Sequence, residues 1–547
     1  PLAHSYLEAP EQLTLDDIRK TLGPVFCDSA VKKTAFDLKQ MRLYLHFAGI
    51  PVSGFAPDPM VITHILDSSR KVDLNMMSEG YIKYSPMDLT AVRRNSKETF
   101  DKIEIDTWKD YACERAMIFL RLHRACMDEL RTFENGQELV NFDMDVLDVL
   151  YNMEVRGTYL NGEELGRQAA RLREDLHMVE QDIYDLANTP FNINSPRQLG
   201  RILFEDLNIP YPRTTVKADS EGNKSYSTAD DILSDISDEF DIVRKVQRYR
   251  MLSKLLSTYA DKLPQLISSR TGRIHTCFNL AGTVTGRLSS TDPNLQNIPI
   301  RTPEGRQIRR AFAAPEGYQI VSADYSQIEL RLIAHFARDP SLIAAFKNGK
   351  DIHRATAAEV LGKKIEDVTD EERSHAKATN FGLMYGMQAH GLARQTGMTS
   401  AQAKAYINMY FKKYPTIKDL MERIKEEARE KGYTPTLKGF HVVINGINST
   451  GAAARAAERA AINAPMQGSA ADIIKMAMVE VNRYIQTLPL NSVYLTMQVH
   501  DELIFEVRDD MVTQFTTRIR QIMENVVKLM VPLEVGIGTG PSWDEAH

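Results

Sequence analysis

Asp324 closes an apolar run, Gln319-Ile320-Val321-Ser322-Ala323, and opens the stretch Tyr325-Ser326-Gln327-Ile328-Glu329-Leu330-Arg331. The run reads as a buried strand and the segment from Glu329 to Phe336 as a helix, so Asp324 falls at the junction, where a rigid strand end can hold a carboxylate against a metal ion. A second acidic pair, Asp501-Glu502, lies far downstream. Val493, Leu495, Met497 and Val499 alternate with more polar neighbours, and so do Leu503, Phe505 and Val507. That alternation predicts two short strands joined tightly at His500-Asp501-Glu502, with both acids at the tip. A hydrophilic turn is the plainer explanation of that tip. The Asp324 site tips the balance toward metal. Two carboxylates brought together repel unless a proton or a cation lies between them. Mg²⁺ suits such a pair, because it keeps waters and shares its remaining ligands with substrate phosphates. Two such ions about 4 Å apart can activate an attacking oxygen and stabilise a leaving one. The chemistry predicted is phosphoryl transfer.

A third constellation is helical. Thr369-Asp370-Glu371-Glu372 has capping-box spacing and predicts a helix start. Arg373, Lys377, Phe381 and Tyr385 then recur every four residues. Each step drifts by only about 40°, so the four share one broad face. That face offers cations for a triphosphate and aromatics for a sugar and base. An ordinary amphipathic helix with a solvated basic edge is the alternative. Gly382 and Gly386 weaken the helix end, as in a helix that moves or meets a ligand closely.

The elements around these residues are legible in outline. Helix is predicted over 140–157 ending in a glycine turn, over 165–187, 232–266, 452–485 and 511–530, and through most of 329–431. Residues 214–230 read as a polar surface loop, and residues 1–131 as helices alternating with short strands. With 547 residues the chain is too long for one core. No apolar run approaches the roughly 20 residues that span a bilayer. Cys27, Cys113, Cys126 and Cys277 lie far apart with no CxxC pair, which argues against a zinc site or disulfide framework and predicts a reducing, cytoplasmic compartment. The net charge of −6 argues weakly against nucleic acid. Arg244, Lys245, Arg248, Arg250 and Lys254 nevertheless crowd one helical stretch.

Taken together, these segments resemble the family A DNA polymerases, the group that includes bacterial DNA polymerase I and its large, Klenow-like fragment. The carriers are Asp324 to Arg331, Arg373-x3-Lys377-x3-Phe381-Gly382-x2-Tyr385-Gly386 and Gln498-Val499-His500-Asp501-Glu502. Thr285-Gly286-Arg287-Leu288-Ser289-Ser290 through Pro299, and Arg459 through Gly468, agree as well. The likeness runs from about residue 133 to the C-terminus. It implies a multidomain α/β fold: a right hand beside an N-terminal degenerate 3′–5′ exonuclease-like α/β domain (1–131). The thumb would be about 165–266, the palm about 275–332 and 451–547 with an antiparallel sheet, and the fingers about 333–450. It implies a DNA-templated DNA polymerase serving repair and replication gap filling in the bacterial nucleoid. The enzyme would be a monomer that takes primer–template DNA and dNTPs and uses two Mg²⁺, with Mn²⁺ as substitute.

The resemblance also assigns roles. Asp324, Asp501 and the Tyr325 backbone would bind metal, with Glu502 in support. Arg373 and Lys377 would hold the triphosphate, and Lys377 would protonate the leaving pyrophosphate. Gln327, Phe381, Tyr385 and His500 would complete the nucleotide site. Glu329 would bar a 2′-hydroxyl, which argues against a single-subunit RNA polymerase. Arg287, Gln296, Asn297, Arg301, Arg459, Asn463, Gln467, Gln498 and His500 would contact DNA. A catalytically silent DNA-binding scaffold is the other rival, and the intact acids and cations argue against it.

Three departures from the family pattern stand out. Met41 and Arg115 occupy positions where the exonuclease has metal-binding Asp, near Asp37 and Glu114. The exonuclease's opening Asp-x-Glu strand would lie ahead of Pro1. No proofreading is therefore predicted, nor any 5′-nuclease, and the N-terminal domain is expected to expose a sheet edge. Finally, Leu437-Lys438-Gly439-Phe440-His441 has Phe-His where the family has arginines.

Overall fold

The computed structural model describes residues 3–93, 95, 97–213, 217–218, 224–300, 302–384 and 386–547. The chain forms two compact units. The first comprises Pro1–Arg156, Thr276–Gln296 and Val321–Gly538; the second comprises Gly157–His275, Asn297–Ile320 and Thr539–His547.

The first unit is built on a four-stranded sheet, in the order Val493–Val499, Glu502–Arg508, Tyr318–Tyr325, Val535–Gly540. The first two strands form the predicted antiparallel hairpin, with Val499 opposite Glu502 and a register shift between Leu495 and Met497. Val321, Ala323, Leu503, Phe505 and Val507 are buried, as apolar strand residues facing a core must be. The 35-residue helix Gly451–Ile485 buries Ile473, Ala477 and Val481 in the same core. Between sheet and long helix the chain is helical, from Ile328–Ala337 to Pro415–Lys431. A short hairpin, Tyr433–Pro435 with His441–Val443, follows.

Two expectations fail locally. Residues 3–131 contain no strand among those described, only helices and one isolated bridge between Lys33 and Phe55. A strand exists only through a hydrogen-bonded neighbour, and this segment finds one for a single residue pair. Among the described residues, therefore, no sheet edge is exposed there. The helix predicted over 511–530 ends at Glu524. Asn525 caps it, and Val526, Val527 and Leu529 pack against the core instead of continuing the spiral.

The second unit centres on the helices Gly162–Ala187 and Asp241–Leu255. Ile183, Leu199, Leu203, Val243 and Val246 are buried between its elements. The basic stretch lies on the second of these helices, and its cations are largely engaged: Arg244 with Asp241 at 2.9 Å, Lys245 with Asp182 at 2.6 Å, Arg248 with Glu304 at 2.5 Å. Within 214–230, described in part, Lys217–Ala218 pairs with Lys224–Ser225.

Candidate active site

The acidic residues meet through the backbone. The Tyr325 N–H donates to the Asp501 carbonyl at 3.2 Å, tying the end of the Asp324 strand to the hairpin turn. His500 holds that turn with φ +56° and leaves its side chain exposed. Asp501 and Glu502 are not presented together at the tip. Glu502 is already strand, buried, and its Oε1 accepts the Ser322 hydroxyl at 2.6 Å. Ser322 and Asp324 are two apart on one strand and share a face, so Glu502 supports the face that carries Asp324.

Burial pushes the Asp501 carboxyl up to about 6. The Arg287 guanidinium opposes that shift and the Glu329 carboxylate adds to it. Glu329 sits in the first turn of Ile328–Ala337, 8% exposed, and pairs with Arg287 at 2.7 Å. Gln327, exposed and left-handed at φ +53°, opens that helix. Arg331 anchors it, donating to the Ser326 carbonyl at 2.8 Å and pairing with Glu534 at 2.6 Å. No group of three or more His, Cys, Asp or Glu among the described residues forms a ready-made metal cage. Asp324 and Asp501 with the Tyr325 backbone still fit a hard cation. Mg²⁺ needs only one or two carboxylates when substrate phosphates complete its shell, and a cation beside Asp501 would offset the burial that raises its carboxyl.

The helix that carries Arg373 and Lys377 forms as predicted, from Asp370 to Met384. Its capping box closes reciprocally, Thr369 N–H to Glu372 at 3.0 Å and Glu372 N–H to Thr369 Oγ1 at 3.1 Å. Lys377 is exposed. Arg373 pairs through Nε with Asp351 at 2.7 Å. Asp351 also caps Ile352–Leu361, accepting from the N–H groups of His353 and Arg354, each at 3.0 Å. The His353 ring packs on Phe381 at 5.6 Å between centroids and lies 3.2 Å from Asn380 Nδ2. Burial pushes His353 down to about 4, so it is neutral at pH 7. Asp351, His353 and Asn380 escaped the sequence reading. An Asp N-cap is recognisable in Asp351-Ile352-His353-Arg354, but nothing there says which helix it faces. Tyr385 lies outside the described residues. Gly386, with φ +66°, has no room for a Cβ, which would stand 2.5 Å from Arg459 Cγ. Arg459 of the long helix thus closes over the end of the helix that carries Arg373.

A profile of DNA polymerase family A matches residues 162–545. The chain belongs to DNA polymerase family A. It is 44% identical to DNA polymerase I of Pseudomonas aeruginosa, over 100% of this chain and 60% of that protein. With DNA polymerase I of Geobacillus stearothermophilus it shares 39% identity over 95% of this chain and 59% of that protein. The chain thus spans about 60% of the length of these relatives. Among solved structures, the POL domain of Pol1 from M. smegmatis, in complex with DNA primer-template and dNTP, superimposes with a TM-score of 0.86 at 34% identity. That match covers 98% of this chain and 90% of that one. The family A fold is accordingly the right-hand polymerase fold.

The remaining site residues of this family A chain sort by their partners. Gln296 Nε2 donates to Gln498 Oε1 at 2.9 Å, and Gln498 in turn to the His500 carbonyl at 2.5 Å. Two buried amides are therefore chained to the Asp501 turn. Arg459, Asn463 and Gln467 lie along the long helix, which contains Pro465, and Asn463 Oδ1 is buried with no hydrogen-bond partner. Asn297 belongs to the second unit, exposed, with its carbonyl accepting the Tyr259 hydroxyl at 2.6 Å. Arg301 lies outside the described residues. In the N-terminal segment, Asp37 caps Leu38–Phe47 by accepting from Gln40 N–H at 2.9 Å. Glu114 accepts from the Tyr84 hydroxyl at 2.6 Å and the Met87 N–H at 3.0 Å. Arg115 donates to the Met87 carbonyl and stacks on Tyr111.

Proposed function

We propose that this chain adds deoxynucleotides to a primer 3′-hydroxyl on a DNA template, releasing pyrophosphate. The observation that carries the reading is the Tyr325–Asp501 backbone bond, which joins two sequence-distant carboxylates at the foot of the Glu329 helix. Asp324, Asp501 and the Tyr325 carbonyl would hold divalent magnesium, or manganese in its place. Bound as a pair, such ions lower the barrier by activating the attacking oxygen and neutralising the leaving one. Arg373 exchanges Asp351 for the triphosphate. Lys377 holds the phosphates and passes a proton to the departing oxygen, where negative charge develops. Phe381 and Tyr385 face the sugar and base together with Gln327 and His500. Glu329, fixed by Arg287, leaves no space for a 2′-hydroxyl. Arg287, Gln296, Asn297, Arg301, Arg459, Asn463, Gln467, Gln498 and His500 line the path of primer and template, reading features common to all base pairs. Rotation of the Arg373 helix toward the carboxylates would close the site.

The domain assignment follows: N-terminal segment 1–131, thumb about 165–266, palm about 275–332 and 451–547, fingers about 333–450. The N-terminal segment does not proofread. Asp37 and Glu114 are committed to local hydrogen bonds, and Arg115 and Met41 cannot ligate a cation. We place the chain as a monomer in gap filling and repair. No described helix is long and apolar enough to cross a membrane.

Primer extension on a recessed duplex with four deoxynucleotides and Mg²⁺, with a chelator control, tests the reading. Extension should vanish with chelator and fall by at least about a hundredfold in Asp501→Asn, the scale of losing one preorganised charge contact. Extension undiminished in that variant would sink the assignment.

A further inference from the structure

The Thr283–Arg287 turn is held from behind by the N-terminal segment. His64 lies in the helix Pro59–Leu66, 2% exposed. Burial keeps its imidazole below the usual histidine range, hence neutral. Its Nε2 lies 2.8 Å from the Thr283 carbonyl, so that nitrogen carries the proton and donates. The Phe440 ring packs on His64 at 5.1 Å between centroids. The same ring closes on Gly286, where a Cβ would stand 3.3 Å from it. Across the turn, the Thr283 hydroxyl donates to the Arg287 carbonyl at 2.7 Å. Arg287 then reaches Glu329 at 2.7 Å, beside Asp501. The hairpin carrying Phe440 is itself tied down: Val443 N–H donates to Ser68 at 3.0 Å and Lys438 N–H to Asp472 at 2.8 Å. Elsewhere the turn is poorly backed. A cavity of about 390 Å³ lies between Ser68–Val72 and Phe278–Val284, so packing alone does not fix those residues.

We infer that His64 and Phe440 are positioning residues for Arg287, so that the N-terminal segment, devoid of nuclease chemistry, sets how firmly the primer end is held. The inference rests on the polymerase reading above. A carbonyl that loses its buried donor lets the turn relax toward the cavity, and Arg287 goes with it. The chain of contacts ends at the Arg287–Glu329 pair and does not reach Arg373 or Lys377, so the grip on the triphosphate is spared.

The test is steady-state extension by His64→Phe, which keeps the ring against Phe440 and removes the donor, alongside His64→Gln, which restores an N–H near the Nε2 position. The KM for primer–template should rise about five- to tenfold in His64→Phe, with the KM for deoxynucleotide within about twofold, and His64→Gln should recover most of the loss. An unchanged primer–template KM in cooperatively melting His64→Phe overturns the inference. So does a uniform loss in every constant that Gln does not rescue. If His64→Phe does not fold, Phe440→Leu carries the same expectation and the same criteria. A wild-type chain that extends no primer condemns the polymerase reading instead.

Discussion

At the residue scale, the proposed nucleotide site has its most specific consequence at Phe381. Its ring lies against neutral His353, on the face that carries Arg373 and Lys377. A phenyl ring offers no hydrogen bond to a nucleotide that lacks its 3′-hydroxyl. Phe381→Tyr supplies a hydroxyl there, and one well-placed hydrogen bond to a charged partner is worth about 1.5–3 kcal/mol. The dideoxy-to-deoxy incorporation ratio should therefore rise at least about tenfold. A ratio unmoved by the substitution, measured in competition on one template, would refute the placement of Phe381 at the sugar. The strand end at Asp324 and the helix that carries Phe381 were legible because an apolar run and a four-residue period are local signals. Asp351 and His353 were not, since their meaning comes from Arg373 and Phe381, more than twenty residues on, across a helix–helix contact that no local pattern encodes.

At the element scale, caps and periods read correctly where they are self-contained. The Thr369 box and the long helix to Ile485 form as their sequences predict, and so do the two strands of the Asp501 hairpin, although Glu502 is already strand and not tip. The failures are elements whose fate depends on neighbours: the absent strands of 3–131 and the helix that stops at Glu524. Neither could the sequence announce the buried pair of Lys39 with Glu154 at 2.6 Å, both under a tenth exposed. It joins the helix Leu38–Phe47 to Gly136–Arg156, and Glu154 also accepts the Phe278 N–H at 2.7 Å. Desolvation raises the Glu154 carboxyl, and the Lys39 ammonium, with the Phe278 N–H, opposes that shift. Lys39→Met strands that carboxylate and should destabilise the fold by about 3–5 kcal/mol. Lys39→Met with Glu154→Gln keeps the acceptor for Phe278 and removes the orphaned charge, and should recover most of the loss. Denaturant unfolding of both variants decides it; a double variant no more stable than the single one would mean the pair is not the joint.

At the scale of the whole molecule, the net charge of −6 says little about where charge is available, because charge here is organised by burial and pairing. The basic helix of the second unit is largely neutralised by its own carboxylates, whereas three buried acids in the first unit lack enough positive charge. Burial pushes Asp472 and Asp501 each up to about 6, and Asp58 from 3.8 up to about 7. The N–H groups of Leu38 and Met60 donate to Asp58 at 2.6 and 2.8 Å, which favours its anion, and the desolvation still prevails. A carboxyl whose folded pKa exceeds its unfolded one binds its proton more tightly in the native state. Stability from Asp58 is therefore full below about pH 4, declines as pH rises toward 7, and is gone above it. Asp58→Asn retains an acceptor for both N–H groups and cannot ionise. Melting temperatures recorded from pH 5 to 8 without divalent ions should accordingly fall more steeply for the wild type than for this variant, with the gap closing toward acid. Parallel profiles would show that Asp58 is ionised in the native fold throughout, held by its backbone donors against the desolvation that otherwise sets its proton.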